Sequence, residues 1–270
     1  MHLSKHHGLG NDFLVLLRDD VVPMPDDAAA ALAIRLCHRT RGIGADGLLI
    51  GGPPVRRSMC DLQMWLYNAD GSRAEMSGNG IRCFAQAVLR DRGLTEATLA
   101  ISTDGGLRCV DAKVVSEDEV WASVDMGAMS AIEAPNGWPV LDLDPLRPVA
   151  HLSIGNPHAV VLVDDADEVD LVAAGRAVPG VNLEVIAAGP EPGAITMRVH
   201  ERGVGITEAC GTGACAAAWA ARGWGLSADR VVVHMLGGDG EVTIEGDTVT
   251  LAGPAVHIAD ILISDSGVHA

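Results

Sequence analysis

Aromatic side chains are nearly missing from this 270-residue chain, with five Trp, two Phe and one Tyr making up 3% of it. Ring stacking therefore cannot carry a core, which must be packed from Val, Leu, Ile, Ala and Met. Basic residues are also scarce. Nineteen Lys and Arg stand against 36 Asp and Glu, a formal net charge of −17, which excludes the clustered cationic surface that nucleic acid requires. No apolar run approaches the roughly 18 residues of a membrane helix. The N-terminal MHLSKHHGLGNDF lacks the apolar segment of a secretory leader. A cytoplasmic protein with no membrane or nucleic-acid partner is expected.

CxxC pairs are absent, and His6, His7 and His158 form no HExxH-like set, which argues against a metal centre. Cys37, Cys60, Cys83, Cys109, Cys210 and Cys215 are too dispersed for a disulfide framework in a chain this long and read as reduced thiols. The only lysines are Lys5 and Lys113, neither a good candidate for a pyridoxal phosphate Schiff base. What remains is an ordinary globular composition, 48% hydrophobic and 20% charged, with 32 glycines. That is enough chain for one large domain or two smaller ones.

Periodicity gives a mixed α and β pattern. Strand-like runs include Asp12–Leu17, Gly47–Ile50, Leu62–Tyr67, Thr98–Ser102, Leu107–Val115 and Val120–Met126. Later ones are Ala159–Val163, Asn182–Ile186, Ile195–His200, Val231–Met235, Glu241–Glu245, Val249–Leu251 and Val256–Ile263. One helix is expected to start on an Asp26 cap, bury Ala29, Leu32, Ala33, Leu36 and Cys37, and stop at Gly42. A second follows Gly80 with Ile81, Phe84, Ala85, Val88 and Leu89 on one face. Ala214–Ala221 is apolar on all sides, the mark of a fully buried helix. Asp164–Asp170 reads as a solvated helix start, and residues 127–149 as a Pro- and Gly-rich connector.

Three landmarks recur in the same order in both halves. Gly10-Asn11 opens a run that ends at Asp19-Asp20, and Gly155-Asn156 opens one that ends at Asp164-Asp165. GIGADGLLI, ending at Ile50, is matched by VPGVNLEVI, ending at Ile186. Ser77-Gly78-Asn79-Gly80 leads into a helix, as does Cys210-Gly211-Thr212-Gly213, with Asn68 and Glu201 standing the same distance ahead of each. The repetition points to a duplicated unit.

The two tetrapeptides carry the chemistry. A helix start leaves N–H groups without partners and a partial positive charge, and glycines let an anionic group approach them. A cysteine there is expected to have its thiol pKa lowered towards neutrality. A ligand carboxylate held by such donors has its charge stabilised when the adjacent α-carbon loses a proton. Two such sites converging on one ligand, each with a proton carrier, could invert a stereocentre: one face loses a proton and the other gains one.

The segments KHHGLGNDF, GIGADGLLI, YNADGSRAEMSGNGIRCFA, SIGNPHAVV, VNLEVI and VHERGVGITEACGTGACAAA, in that order, resemble the diaminopimelate epimerase family over nearly the whole chain. The resemblance implies an α+β fold of two pseudo-symmetric domains, each a curved mixed sheet wrapped around a central helix. The first would span 1–118, joined by a last strand near 257–270, and the second 119–256. It also implies interconversion of LL- and meso-diaminopimelate in lysine and cell-wall precursor synthesis, without cofactor or metal, in a homodimer. Cys210 would be one catalytic acid/base and position 77 the other. Substrate contacts would fall on Asn11, Asn68, Gly78, Asn79, Asn156, Asn182, Glu201, Arg202, Gly211 and Thr212. His158 and Glu201 would tune the proton carriers.

Two positions depart from the family pattern. Gly47 stands where a glutamine is usual, and Ser77 where a cysteine is usual. A hydroxyl is a much weaker acid than a thiol and needs activation. Cys83, further along the helix on a different face, does not replace it. Three readings stay open for position 77: a native serine working with a neighbour or water, a cysteine replaced by serine, and a drift to one-sided transfer or another substrate. Two functional alternatives also stay open, a proline or hydroxyproline racemase-like enzyme and an amino-acid-binding protein without turnover. Simpler roles exist for single residues. Ser77 could be only a helix cap, the Asn residues turn formers, Glu201 and Arg202 a local ion pair, and the cysteines other than Cys210 small core hydrophobes.

Overall fold

The computed structural model describes residues 1–19, 24–54, 59–136, 138 and 147–264. Asp20, parts of the 127–149 connector and the end of the 257–270 segment lie outside the described residues. Two compact units divide the chain: Met1–Val124 with the chain from Gly253 onward, and Asp125–Ala252.

The first unit contains β1 (His2–Gly8), β2 (Asn11–Leu17), α1 (Asp26–Cys37), β3 (Gly47–Gly52), β4 (Leu62–Asn68), β5 (Arg73–Ala74), α2 (Gly78–Arg92), β6 (Glu96–Thr103), β7 (Gly106–Val114) and most of β8 (Glu119–Ala128). β1–β2 is antiparallel, β2–β3 parallel around α1, β3–β4 and β4–β5 antiparallel, β4–β6 parallel around α2, and β6–β7 and β7–β8 antiparallel.

The second unit contains β9 (Ser130–Ala131), β10 (Val149–Ser153), β11 (Pro157–Leu162), α3 (Leu171–Ala177), β12 (Asn182–Ala188), β13 (Ile195–Glu201), β14 (Gly205–Ile206), α4 (Gly211–Gly223), β15 (Arg230–Met235) and β16 (Gly238–Glu245). β17 (Thr248–Leu262) begins here and ends in the first unit. From β10 through β17 the pairings run antiparallel, parallel, antiparallel, antiparallel, parallel, antiparallel, antiparallel. This is the order found from β1 through β8, so the duplication suggested by the landmarks is visible strand by strand. The register refines it. Phe13 pairs with Gly47 and His158 with Asn182, so Asn182 occupies the place of Gly47. Aligning the two runs by their ends would have set it against Asp46.

In each unit one face of the strands covers an outer helix and the other a central helix. Leu14, Leu16, Leu48 and Ile50 pack with Ala29, Leu32, Ala33, Leu36 and Cys37 of α1. Ala159, Val161, Leu183 and Val185 form the matching cluster with Leu171 of α3. The strand period of two sends the alternate side chains to the central helix. α2 is buried from Gly78 through Leu89 and contacts β1, β2, β3, β6 and β7. α4 is enclosed by β10 to β13, β15 and β16, with Ala214 to Ala218 all buried. Burial on every side explains the small residues of α4 and the glycine at position 51. A Cβ on Gly51 would lie 2.1 Å from the Phe84 ring of α2, so only glycine lets that ring lie flat on β3. No helix among the described residues is long and apolar enough to cross a membrane.

Local expectations need four corrections. Asp26 is the first residue of α1 and not its cap. Pro25 holds that place without a side-chain bond, while Asp26 accepts from the Tyr67 hydroxyl at 2.7 Å. α1 ends at Cys37, before Gly42, because His38 turns extended. β1 and β10 were missed, since HLSKHHG carries polar residues in both phases and VAHLS is a short run with Leu152 its one fully buried residue. Cys109 is exposed and Cys60 only half-buried, whereas Cys37, Cys83 and Cys215 are buried; Cys109 sits on the outward phase of β7. Asp170 does cap α3, accepting from the Ala173 N–H at 3.0 Å.

His6 is fully buried against α2. The Gln86 amide is oriented by donating to the Asp118 carbonyl at 2.6 Å, so its oxygen faces His6 Nδ1 at 2.8 Å and that nitrogen donates. Nε2 then accepts from the Ser4 hydroxyl, 2.8 Å away. The neutral ring is satisfied, and burial, with help from His257 and Arg90, lowers its pKa to about 4 against the Gln86 bond. An unfolded His takes up a proton near pH 6.5, so stability is expected to fall as pH drops from 6.5 to 4, by on the order of 2–3 kcal/mol. Denaturant unfolding of the parent and His6→Gln across that range checks this, the variant showing the flatter dependence.

Candidate active site

In the second unit the site is built at the N-terminus of α4. Cys210 is its cap residue, in extended conformation, with its sulfur accepting from the Gly213 N–H at 3.4 Å. The first-turn N–H groups of Gly211 and Thr212 have no partners within the helix. The Thr212 hydroxyl lies 3.5 Å from the sulfur and accepts from Asn156 Nδ2 at 3.2 Å. Asn156 Oδ1 faces His158 Nε2 at 3.0 Å, and His158 Nδ1 faces Glu184 Oε1 at 2.7 Å. His158 and Glu184 reach this place because both stand in the α4-facing phase of adjacent parallel strands, β11 and β12; both are fully buried.

Glu201, at the end of β13, accepts from the Thr207 hydroxyl at 2.6 Å. Burial pushes its pKa up, opposed by hydrogen bonds from Thr207 and Cys210. It makes no pair with Arg202, so the local ion-pair reading fails. Asn182 is buried and its Oδ1 accepts from the Arg202 backbone N–H at 2.8 Å, which leaves the Arg202 guanidinium at the surface with no ion pair among the described residues.

The Cys210 thiol overturns one expectation. Its pKa is raised well above the ordinary thiol value, because burial and the carboxylates of Glu201 and Glu184 outweigh the Thr212 hydroxyl and the Gly213 N–H. The helix start alone would have lowered it.

In the first unit the N-terminus of α2 has the same local geometry. Ser77 is an extended cap whose Oγ accepts from the Gly80 N–H at 3.0 Å, so the capping role is real. Asn79 Nδ2 donates to Asn11 Oδ1 at 3.4 Å, the counterpart of the Asn156–Thr212 contact, and Asn79 Oδ1 accepts from Arg82 at 2.7 Å. Asn11 Nδ2 donates to Asp46 at 2.7 Å. Asp46 is tied through Arg39 to Asp12, which also pairs with Lys5 at 2.8 Å. Burial of Asp12 is more than offset by Arg39 and Lys5, and its pKa is lowered. Asn68 is exposed, in a tight turn where its amide donates to Ser72 at 3.0 Å.

The two halves differ beneath the helix start. Where the second has His158 and Glu184, the register puts Phe13 and Leu49 in the first. Phe13 comes within 3.4 Å of a Cβ built on Gly80. Within its own unit Ser77 thus lacks the titratable pair that stands near Cys210. Glu184 and Thr207 were missed from sequence. The signal for Glu184 was a single charge inside the apolar run VNLEVI, which a buried strand tolerates only when the charge is paired.

Alkylation of Cys210 by iodoacetamide, followed peptide by peptide in a mass spectrometer, is expected to stay slow at neutral pH and to accelerate only above the ordinary thiol range. Glu201→Gln removes one carboxylate and is expected to move that onset down. An onset at or below neutral pH in the unaltered protein would contradict the geometry.

The family model described as diaminopimelate epimerase matches residues 3–132 and 151–258. A diaminopimelate epimerase of Desulfitobacterium hafniense is 35% identical over 98% of this chain and 99% of its own. That of Moorella thermoacetica is 39% identical over 96% and 97%. Among solved structures, a predicted epimerase from Pseudomonas aeruginosa superposes with a TM-score of 0.73 at 15% identity, over 97% of this chain and 98% of its own. A hydroxyproline epimerase from Agrobacterium vitis with bound trans-4-hydroxy-L-proline gives 0.68 at 17%, over 97% and 90%. At such identities these structures speak to the fold alone, whereas the family model and the full-length relatives place this chain in the diaminopimelate epimerase family.

Proposed function

We propose that the protein is a diaminopimelate epimerase, an isomerase that interconverts LL- and meso-diaminopimelate by taking the α-proton from one face of the carbon and returning a proton to the other. The observation that carries this is the buried Cys210 thiol at a glycine-led helix start, with Glu201 on one side and the Glu184–His158–Asn156–Thr212 chain on the other.

The roles follow from the chemistry. The α-carboxylate is received by the first-turn N–H groups of Gly211 and Thr212; the first turn of α2, at Gly78 and Asn79, offers donors of the same kind. Charge that develops as the α-carbon loses its proton flows onto that carboxylate, where oriented N–H donors stabilise it most. Cys210 holds its proton in the resting state and is the acid that delivers it. Asn11, Asn68, Asn156 and Asn182 bind the polar groups of the substrate. The uncommitted Arg202 guanidinium suits a bidentate grip on the distal carboxylate. Glu201 and His158 adjust the proton affinity of the thiol.

Ser77 is the second carrier and the weak one, since a hydroxyl accepts a proton poorly unless a base activates it and its own unit has Phe13 and Leu49 where the other has His158 and Glu184. Neither lysine supports a Schiff-base cofactor: Lys5 Nζ is held by Asp12 and by the Gly44 carbonyl at 2.7 Å, and Lys113 is exposed on β7. A cofactor-free reaction in the cytoplasm by a two-subunit assembly completes the proposal. Sedimentation of the 28.0 kDa chain reads the assembly.

The test is exchange of the substrate α-proton in D2O together with formation of the other stereoisomer. Ser77→Cys is expected to raise turnover by about 10²-fold or more, the usual weight of one well-matched acid/base group, and Cys210→Ala to abolish it. If neither the unaltered protein nor Ser77→Cys exchanges the proton or forms the second isomer, the assignment is wrong.

A further inference from the structure

We infer that Glu184 is a positioning residue that sets the direction of every hydrogen bond in the chain His158–Asn156–Thr212–Cys210, so that the Thr212 hydroxyl donates to the Cys210 sulfur. The inference rests on the reading of Cys210 as a proton carrier, but its geometry stands independently.

Three of the bonds can run either way when taken singly. Imidazole nitrogens, an amide and a hydroxyl can each present a donor or an acceptor at the contact. Glu184 removes the choice. It and His158 are both fully buried and lie 2.7 Å apart. A carboxylate beside a neutral Nδ1–H ring would leave an uncompensated charge in a fully buried site where Glu184 Oε2 has no hydrogen-bond partner among the described residues, so the pair is held at zero net charge. A neutral pair is either carboxylate with imidazolium or carboxylic acid with neutral imidazole. In the first, both ring nitrogens carry protons. In the second, the carboxylic acid donates to Nδ1 and the ring proton sits on Nε2. Nε2 therefore carries hydrogen in both forms and donates to Asn156 Oδ1, 3.0 Å away.

That contact fixes the Asn156 amide, whose Nδ2 then donates to Thr212 Oγ1 at 3.2 Å. With its oxygen accepting, the Thr212 hydroxyl hydrogen is directed to the sulfur 3.5 Å away. The end of the chain is a donor aimed at the atom that gains negative charge whenever Cys210 gives up its proton.

Two further features fit a residue kept for this purpose. Glu184 Oε2 is buried with no hydrogen-bond partner among the described residues, a cost that core packing alone would not retain. The carboxylate also occupies room left open by the helix. A Cβ on Gly213 would come 2.7 Å from Oε1, so the second glycine of Cys210-Gly211-Thr212-Gly213 admits the carboxylate beneath the first turn. The register-equivalent residue of the other unit, Leu49, sits under a helix start whose cap is a serine.

The first test needs no substitution. In protein labelled with ¹⁵N-histidine, the His158 ring, identified by the loss of its signals in His158→Gln, is expected to show a protonated Nε2. An Nε2 bearing a lone pair would overturn the proposal. The isosteric Glu184→Gln removes the constraint, because an amide can donate or accept, and is expected to shift the ring towards the Nδ1–H tautomer; an unchanged tautomer would count against it.

The second test is kinetic. Glu184→Gln is expected to lower kcat for α-proton exchange by about 10- to 100-fold, as loss of an orienting partner commonly does, with KM changed much less. Thr212→Val should have a similar effect, and the double variant should be little worse than either single one. Multiplicative losses would mean that Glu184 does not act through Thr212. The glutamic and glutamine forms also differ in charge beside Glu201, His158 and Cys210, so the tautomer and the non-additivity are the deciding readouts, not the thiol titration. Because the ring spectrum is independent of turnover, an inactive protein with a protonated Nε2 would sink the epimerase assignment and leave the positioning role intact.

Discussion

A helix enclosed by strands on every side has one place where its backbone remains unsatisfied in a useful direction. α2 and α4 bury almost all of their length, and their interior amides are paired along the helix. The first-turn N–H groups are not, and leaving them buried without acceptors is costly. Each helix meets part of that demand with a side-chain cap, Ser77 Oγ in one and Cys210 Sγ in the other. The remainder calls for an anion. Enclosing the helix thus leaves a set of donors suited to a carboxylate at its start, while Gly213 makes room beneath the first turn for the Glu184 carboxylate.

The duplicated architecture makes the differences between the halves informative. Strand order, parallel crossovers, caps and even the Asn11–Asn79 and Asn156–Thr212 contacts correspond. What differs is the layer beneath the helix start. His158 and Glu184 in one unit are replaced by Phe13 and Leu49 in the other, at matching register. The backbone therefore builds the same helix start twice, and the strand side chains decide which copy has a buried titratable pair beneath it.

Much of this was legible in the chain itself. The apolar positions of α1 were read correctly, because the 3.6-residue period of Ala29, Leu32, Ala33, Leu36 and Cys37 matches the buried face. Most strands were located, and the order of the landmarks foretold the repeated topology. The misses have physical causes. β1 was invisible because His6 and Ser4 bury polar atoms that satisfy one another, a partnership no hydropathy pattern reveals. The direction of the Cys210 shift was misread because a helix start favours thiolate locally, while burial and the carboxylates of Glu201, at the end of β13, and Glu184, on β12, outweigh it only once the chain is folded. Glu184 itself was passed over as one letter in an apolar run, since its partner His158 lies on the neighbouring strand.

The last long strand has a consequence for how the molecule is made. β17 gives Glu241–Glu245 of β16 their partners through its first residues, and then pairs with β1, Leu262 opposite His2. β1 thus waits for residues 256–262 before that edge is covered. On a ribosome, the second unit can assemble as soon as it emerges. The first unit must keep β1 unzipped on that side until residues 256–262 have emerged, a contact of very long sequence separation of the kind that slows folding. For that interval the nascent protein carries an open strand edge, and its histidine-rich composition, HLSKHHG, is a poor template for pairing with a stranger.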